Sequence, residues 1–112
     1  MQLNEYQYLA HKTSAFNNAR NSYSREHVIM SILGLCGESG EVADLLKKQY
    51  FHNHSLDRSR ITNEIGDVLW YIAELCTAFN LQLGEVAAAN LLKLRQRYGS
   101  AFSTEASINR SE

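Results

Sequence analysis

Proline is absent from the 112 residues, so no fixed-φ breaker cuts the chain, and its punctuation must come from glycine, asparagine and serine. Cysteine occurs only as Cys36 and Cys76, too few and too far apart for a disulfide framework or a Cys-x-x-Cys zinc site. Both lie among apolar residues at helical spacing, which predicts two buried thiols. Charge of one sign is also lacking. With 11 Lys and Arg against 12 Asp and Glu the formal charge is −1, which argues against a nucleic-acid partner. No apolar run approaches the roughly 18 residues that span a bilayer, and Met1-Gln2-Leu3-Asn4-Glu5 has neither the basic start nor the apolar stretch of a signal peptide. The expectation is a cytoplasmic protein with no membrane partner.

What is present is helix-forming. Leu (14) and Ala (11) outnumber Val (4), Ile (6) and Thr (4), which favours helix over strand and predicts an all-α fold. Hydrophobic residues make up 45% of the chain, enough for a core, yet a domain of this length buries only about two-thirds of its unfolded surface and gains from self-association. The expected architecture is a small four-helix-type bundle, oligomeric, formed by residues 1–99, with a weakly ordered polar tail over 100–112.

Four helical stretches carry this expectation. The first opens on Asn4 and Gln7, spaced as a capping box, continues through Leu9, Ala10, Thr13 and Phe16, and fades near Asn21-Ser22. The second, capped by Ser24, holds an apolar phase from Val28 through Ile32, Leu35 and Leu46 to Tyr50. His52-Asn53-His54-Ser55 reads as a connection. Asp57 caps the third, flanked by Leu56 and Ile61 as a hydrophobic staple, with a stripe of Ile61, Ile65, Val68, Leu69, Ile72, Leu75, Cys76 and Phe79. After Asn80-Leu81-Gln82 the fourth runs to Tyr98 and stops at Gly99. The short connections make antiparallel neighbours the default.

Two acidic pairs lie within the second and third helices, Glu38-Ser39-Gly40-Glu41 and Glu64-Ile65-Gly66-Asp67. Three steps of about 100° return to within roughly 60° of the start, so each pair projects from one patch of helix surface. A single such pair is ordinary on a solvated face; two on successive helices that pack antiparallel would bring four carboxylates around one space. Glu64, Asp67, Tyr71 and Glu74 share one arc, and no basic residue occurs from Ile61 to Gln82. Two like charges ~4 Å apart repel by about 4 kcal/mol at an effective dielectric near 20, and a divalent ion relieves that conflict. No histidine stands three residues after Glu38, Glu64, Glu74 or Glu85, so the Glu-x-x-His of di-iron bundles is missing. All-oxygen ligands point to Mg²⁺, with Mn²⁺ as a substitute, and Mg²⁺ commonly bridges to substrate phosphates.

Gly34, Gly37 and Gly40 sit inside a helix, where each costs ~1 kcal/mol relative to Ala, and Gly66 lies inside the second acidic pair. Close helix contact and clearance for a ligand both fit. Asn90, Lys93 and Arg97 share a face of the fourth helix and could meet a polyphosphate, while Lys48 stands four residues after Asp44 and could simply pair with it. His52 and His54 lack the further ligands that structural zinc wants and read as loop or rim residues.

The runs Gly34-Leu35-Cys36-Gly37-Glu38-Ser39-Gly40-Glu41-Val42-Ala43-Asp44, Asn63-Glu64-Ile65-Gly66-Asp67-Val68-Leu69-Trp70-Tyr71 and Asn90-Leu91-Leu92-Lys93-Leu94-Arg95-Gln96-Arg97-Tyr98 resemble the MazG-like nucleoside triphosphate pyrophosphohydrolases of the all-α NTP pyrophosphatase superfamily. The family pattern is Glu-x-x-Glu, a gap, Glu-x-x-Asp, and a later Asn-x-x-Lys. The resemblance covers roughly Leu3 to Arg110. It implies Mg²⁺-dependent attack of water at the α-phosphorus of a (deoxy)nucleoside triphosphate, giving the monophosphate and pyrophosphate. By this carry-over Glu38, Glu41, Glu64 and Asp67 hold the metal, and Asn90 and Lys93 contact the triphosphate, with Arg97, Lys48 and Tyr71 as further substrate-facing candidates; the base is left open between Glu38 or Glu41 in a double role and a metal-bound hydroxide. The resemblance also implies a homodimer or homotetramer with sites near subunit interfaces, where Trp70, opposite the apolar stripe of its own helix, would be covered. One departure is informative: the dimeric dUTPase branch often carries an extra Glu just before the first Glu-x-x-Glu, where this chain has Gly37. The alternatives are a pyrophosphohydrolase for dUTP or phosphoribosyl-ATP, or a non-catalytic helical oligomerisation or regulatory module.

Overall fold

The computed structural model describes residues 1–17, 24–99 and 108. Its elements are α1 (Leu3–His11), α2 (Arg25–Phe51), α3 (Arg58–Ala78) and α4 (Leu83–Tyr98), and the described residues contain no strand, in line with the all-α expectation. Helix starts follow the expected chemistry at two places. Ser24 accepts the backbone N–H of His27 at the head of α2, and Asp57 accepts those of Ser59 and Arg60 at the head of α3. Helix ends use asparagine where glycine is commoner. Asn53 and Asn80 both take φ of 56°, and around Asn80 the Leu81 N–H reaches Cys76 O while the Asn80 N–H reaches Thr77 O, a Schellman closure of α3. Gly99, at φ of 66°, ends α4 as expected.

The first helix differs from its expected course. It stops at His11, because Thr13 turns its hydroxyl onto Ala10 O and Ser14 Oγ accepts the Phe16 N–H, local bonds that compete with the helical ladder. The proposed capping box does not cap its own helix either; Gln2 holds the N-cap position without a side-chain bond. Asn4 Oδ1 instead accepts the Gly84 N–H at 2.8 Å and Gln7 Oε1 accepts the Leu83 N–H at 2.8 Å. The two polar side chains one turn apart on α1 therefore satisfy the orphan donors that open α4, whose N-cap Gln82 makes no cap bond. The expected fading of helix one near Asn21-Ser22 and the tail over 100–112, Ile108 apart, lie outside the described residues.

The order of pairings fixes the topology. His27 meets Glu74, Gly34 meets Tyr71 and Glu38 meets Glu64, so α2 and α3 run antiparallel. Gln7 meets Thr77, His11 meets Glu74 and Thr13 meets Trp70, so α1 lies antiparallel along α3 as well. α4 takes its main support from α1 rather than lying back along α3, contrary to the default set by its short connection. The buried core is accordingly small, Ala73, Cys76 and Leu83 with Tyr6 and Ile72 packed on it. Part of the expected apolar stripes is left open, Ile32 on α2 and Ile65 on α3 among them, and Leu33 and Leu92, outside those stripes, are exposed as well. Cys76 is buried as expected, whereas Cys36 is exposed, because the outer face of α2 has no helix over it in the single chain.

Candidate metal centre

The antiparallel crossing of α2 and α3 brings the two acidic pairs to the same place. One ligand oxygen each from Glu38, Glu64 and Asp67 lies within 4.8 Å of the others. None of the three forms an ion pair with a lysine or arginine among the described residues. The crowding shows in Glu38, whose carboxyl is held above its ordinary range by a hydrogen bond shared with Glu64, by partial desolvation and by the charges of Asp67, Glu64 and Glu41. Glu41 adds its field from one turn further along α2 but stands outside the tight trio. This donor set is all carboxylate, without a nitrogen or sulfur ligand, and fits a hard divalent cation that takes oxygen.

The glycines beside the centre divide into two kinds. A Cβ on Gly34 would run into the Tyr71 ring, so this glycine serves close approach of α2 to α3. Gly37, Gly40 and Gly66 would meet nothing within 4 Å, and they keep the surface next to the carboxylates low and open. Of the two roles the sequence leaves open, close helix contact is met at Gly34, while the other three glycines border open space. Tyr71 in turn meets Trp70 edge-on, with ring centroids 4.9 Å apart.

The remaining expected site residues are scattered. Lys48 is bound to Asp44 at 3.0 Å, with Lys47 at 3.7 Å, and this pairing holds Asp44 below its ordinary range. Asn90 and Lys93 are exposed on α4, the helix supported by α1 rather than by the hairpin that carries the acids, and Arg97 lies a turn further along. His52 and His54 are exposed in the α2–α3 connection. Trp70, expected to wait for a partner subunit, is already half-buried in its own chain, its indole N–H donating to Thr13 Oγ1 at 2.9 Å.

Glu74 departs most from its expected place on the acidic arc. It is fully buried, and its two oxygens meet His11 Nδ1 at 2.9 Å and His27 Nε2 at 3.0 Å. The sequence reading passed over both histidines. A signal was available: His27, Ser31 and Glu74 fall in phase with the inward faces of long helices, where a polar residue calls for a partner.

No helix of the described residues is long and apolar enough to cross a membrane. No solved structure matches the chain. Gene 37 protein of Mycobacterium phage L5 is 33% identical over 101 residues, which span 87% of this chain and 89% of the phage protein. The MazG nucleotide pyrophosphohydrolase domain matches residues 27–102, a span that begins at the head of α2, takes in the whole α2–α3 carboxylate crossing and includes α4. Acid pairs, crossing helices and domain match coincide on the same stretch, and the chain belongs to the MazG nucleotide pyrophosphohydrolase family.

Proposed function

We propose that this chain is a Mg²⁺-dependent nucleotide pyrophosphohydrolase that converts a (deoxy)nucleoside triphosphate to the monophosphate and pyrophosphate. The observation that carries the reading is the convergence of Glu38, Glu64 and Asp67 with no cationic side chain among them. Mg²⁺, or Mn²⁺ in its place, would supply charge neutralisation for the triphosphate and acidify the attacking water. Glu38, Glu64 and Asp67 would hold it, with Glu41, one turn along α2, as the further carboxylate. Water adds to the α-phosphorus, the bond from that phosphorus to the bridging oxygen breaks, and pyrophosphate carries the electron pair away. Glu38 or Glu41 takes the proton from the water. Tyr71, packed over Gly34 and one turn from Asp67, would face the substrate from there.

Asn90, Lys93 and Arg97 contact the triphosphate, and a second copy of the chain is what would bring them there. α4 takes its main contacts from α1 rather than from the hairpin that carries the carboxylates, while Leu33, Ile65, Leu91 and Leu92 are more than half exposed. Apolar residues in such number on a small chain are those that subunit contacts cover, and a homodimer or homotetramer with shared sites satisfies both facts. Lys48 would join the substrate by giving up Asp44.

The deciding experiment is pyrophosphate release measured across the eight common nucleotides, with and without Mg²⁺. Release from at least one of them, abolished by chelator and cut at least about 100-fold by Glu41→Gln in a folded protein, is the expected result, since loss of mere outer-shell partners already costs 10–100-fold. Lys93→Ala is expected to weaken triphosphate binding more than Mg²⁺ binding. No release from any nucleotide, together with no Mg²⁺-dependent rise in thermal stability, would leave the helical oligomerisation module as the better description.

A further inference from the structure

The cluster formed by His11, His27 and Glu74 lies outside the carboxylate centre and draws one residue from each of α1, α2 and α3. Its ligand atoms, two imidazole nitrogens and a carboxylate oxygen, lie within 4.8 Å of one another. Glu74 is fully buried, and no lysine, arginine or backbone N–H meets its carboxylate among the described residues. A carboxylate so enclosed needs donors or positive charge nearby, and among the described residues the two imidazoles are what reaches it. The rings are also held in place. Phe16 stacks on His27 with centroids 4.6 Å apart, and His27 stacks on His11 at 5.7 Å and 28°.

Hydrogen bonding accounts for the two contacts themselves, since His11 Nδ1 and His27 Nε2 meet different oxygens of Glu74, at 2.9 and 3.0 Å. What favours a metal is the donor set and its convergence, one ligand atom from each residue lying within 4.8 Å of the others, so that a shared ion would replace the hydrogen-bonded protons. Entry is available on one side, because the His11 side chain is 25% exposed while those of His27 and Glu74 are sealed. Two imidazoles and one carboxylate select a borderline first-row divalent ion over Mg²⁺, which prefers an all-oxygen shell.

We propose that His11, His27 and Glu74 form a second metal site, specific for a divalent transition ion of the Zn²⁺ class, with three protein ligands and a water position on the His11 side. The ion fastens α1 to the α2–α3 hairpin. Because Asn4 and Gln7 of α1 cap α4, it also fixes the helix that carries Asn90 and Lys93. The site owes nothing to the pyrophosphohydrolase reading and would stand if that reading fell.

The test uses full-length protein stripped with chelator and then saturated with Mg²⁺, so that the oxygen centre is filled. Titration calorimetry with Zn²⁺ is expected to show one further ion per chain, and Co²⁺ in its place is expected to give the visible d–d bands of a mixed nitrogen–oxygen shell. His11→Gln, at the partly exposed ligand, should weaken Zn²⁺ by at least about tenfold and leave the Mg²⁺-dependent thermal shift unchanged. His52→Ala with His54→Ala should leave Zn²⁺ binding intact. The proposal is overturned if His11→Gln binds Zn²⁺ as well as the parent, if the loop double variant abolishes binding, or if the parent takes up no Zn²⁺ at tens of micromolar. That last outcome would make the cluster a hydrogen-bonded strut alone. Should His11→Gln fail to fold, the Co²⁺ spectrum of the unaltered protein still decides between nitrogen-bearing and all-oxygen ligands.

Discussion

Two acidic centres share α3, and they solve opposite problems. Glu64 and Asp67 stand near solvent with Glu38, and among the described residues no lysine or arginine forms an ion pair with any of the three. Two turns or more along the same helix, Glu74 is out of solvent altogether and is wrapped by two imidazoles. The first gathers carboxylates without a cationic side chain among the described residues, which is the arrangement the proposed metal would compensate. The second uses hydrogen bonding to join three helices. Residue type does not separate them; burial and neighbours do.

Removing the carboxylate at each centre should therefore move stability in opposite directions. Glu74→Ala leaves two imidazoles facing a buried gap, and breaking a buried pair of this kind costs about 3 kcal/mol, read as a lowered urea midpoint. Glu64→Gln removes one of three crowded charges, so in chelator it should unfold at a higher temperature than the parent while losing the Mg²⁺-dependent rise. If both variants destabilise the metal-free protein equally, the contrast between a repulsive and a cohesive centre is wrong.

The glycines sharpen the same contrast, because the two ends of the α2–α3 crossing are packed differently. At the closed end, Gly34→Ala drives a methyl into the Tyr71 ring, and overpacking costs about 1–3 kcal/mol against a helix-propensity gain of about 1. Tyr71→Leu in the same chain should recover part of the loss. At the open end, Gly40→Ala meets nothing within 4 Å and should stabilise the chain by up to about 1 kcal/mol. Activity lost in Gly40→Ala with stability gained would show that the space beside the carboxylates is kept for a ligand. Chemical denaturation and pyrophosphate release on the same samples read both.

A third comparison is between a cap in its own helix and one lent to another. Gln7→Ala removes the acceptor of the Leu83 N–H and the donor to Leu81 O and Thr77 Oγ1, and loss of a cap costs about 1 kcal/mol. The effect should appear at α4, as faster hydrogen exchange of Leu83 and Gly84 amides, with α1 little changed. Faster exchange confined to α1 would restore the capping box read from the sequence.

These cases show what was legible. Local chemistry was: Ser24, Asp57 and Gly99 bound their helices because each acts on groups within a few residues. The i, i+3 acid pairs were legible too, since helical geometry alone puts each pair on one patch, and the antiparallel hairpin did the rest. Asn4 and Gln7 were misread because their spacing fits two targets equally well, and only the position of α4 decides which they serve. The apolar stripe of α3 is legible as a stripe, yet Ile65, Leu69 and Phe79 remain exposed, because periodicity reports that a face wants cover and not which chain covers it. His11 and His27 were missed for a related reason: their partner lies dozens of residues away, and one sequence gives no register between α1, α2 and α3.

The smallest effect is the one that separates two acids by the sign of their pH dependence. Glu38 has its folded pKa raised, first by the hydrogen bond with Glu64 and then by desolvation and the neighbouring charges, so the folded chain binds that proton more tightly than the unfolded one. Its contribution is fully present below the unfolded value and is lost as pH rises through the folded one. Asp57 has its pKa lowered by the N–H of Arg60 and the bonds from Ser59, so its contribution is present above the unfolded value and is lost as pH falls through the folded one. In chelator, Glu38→Gln should flatten the decline of melting temperature on the upper side of the carboxylate range, and Asp57→Asn should flatten the decline on the acid side. Mg²⁺ held by the proposed centre would take the place of the Glu38 proton, so adding it should lift the parent increasingly as pH rises and leave the Asp57 limb untouched. A Mg²⁺ effect of the same size at every pH would mean that the ion binds somewhere other than these crowded carboxylates.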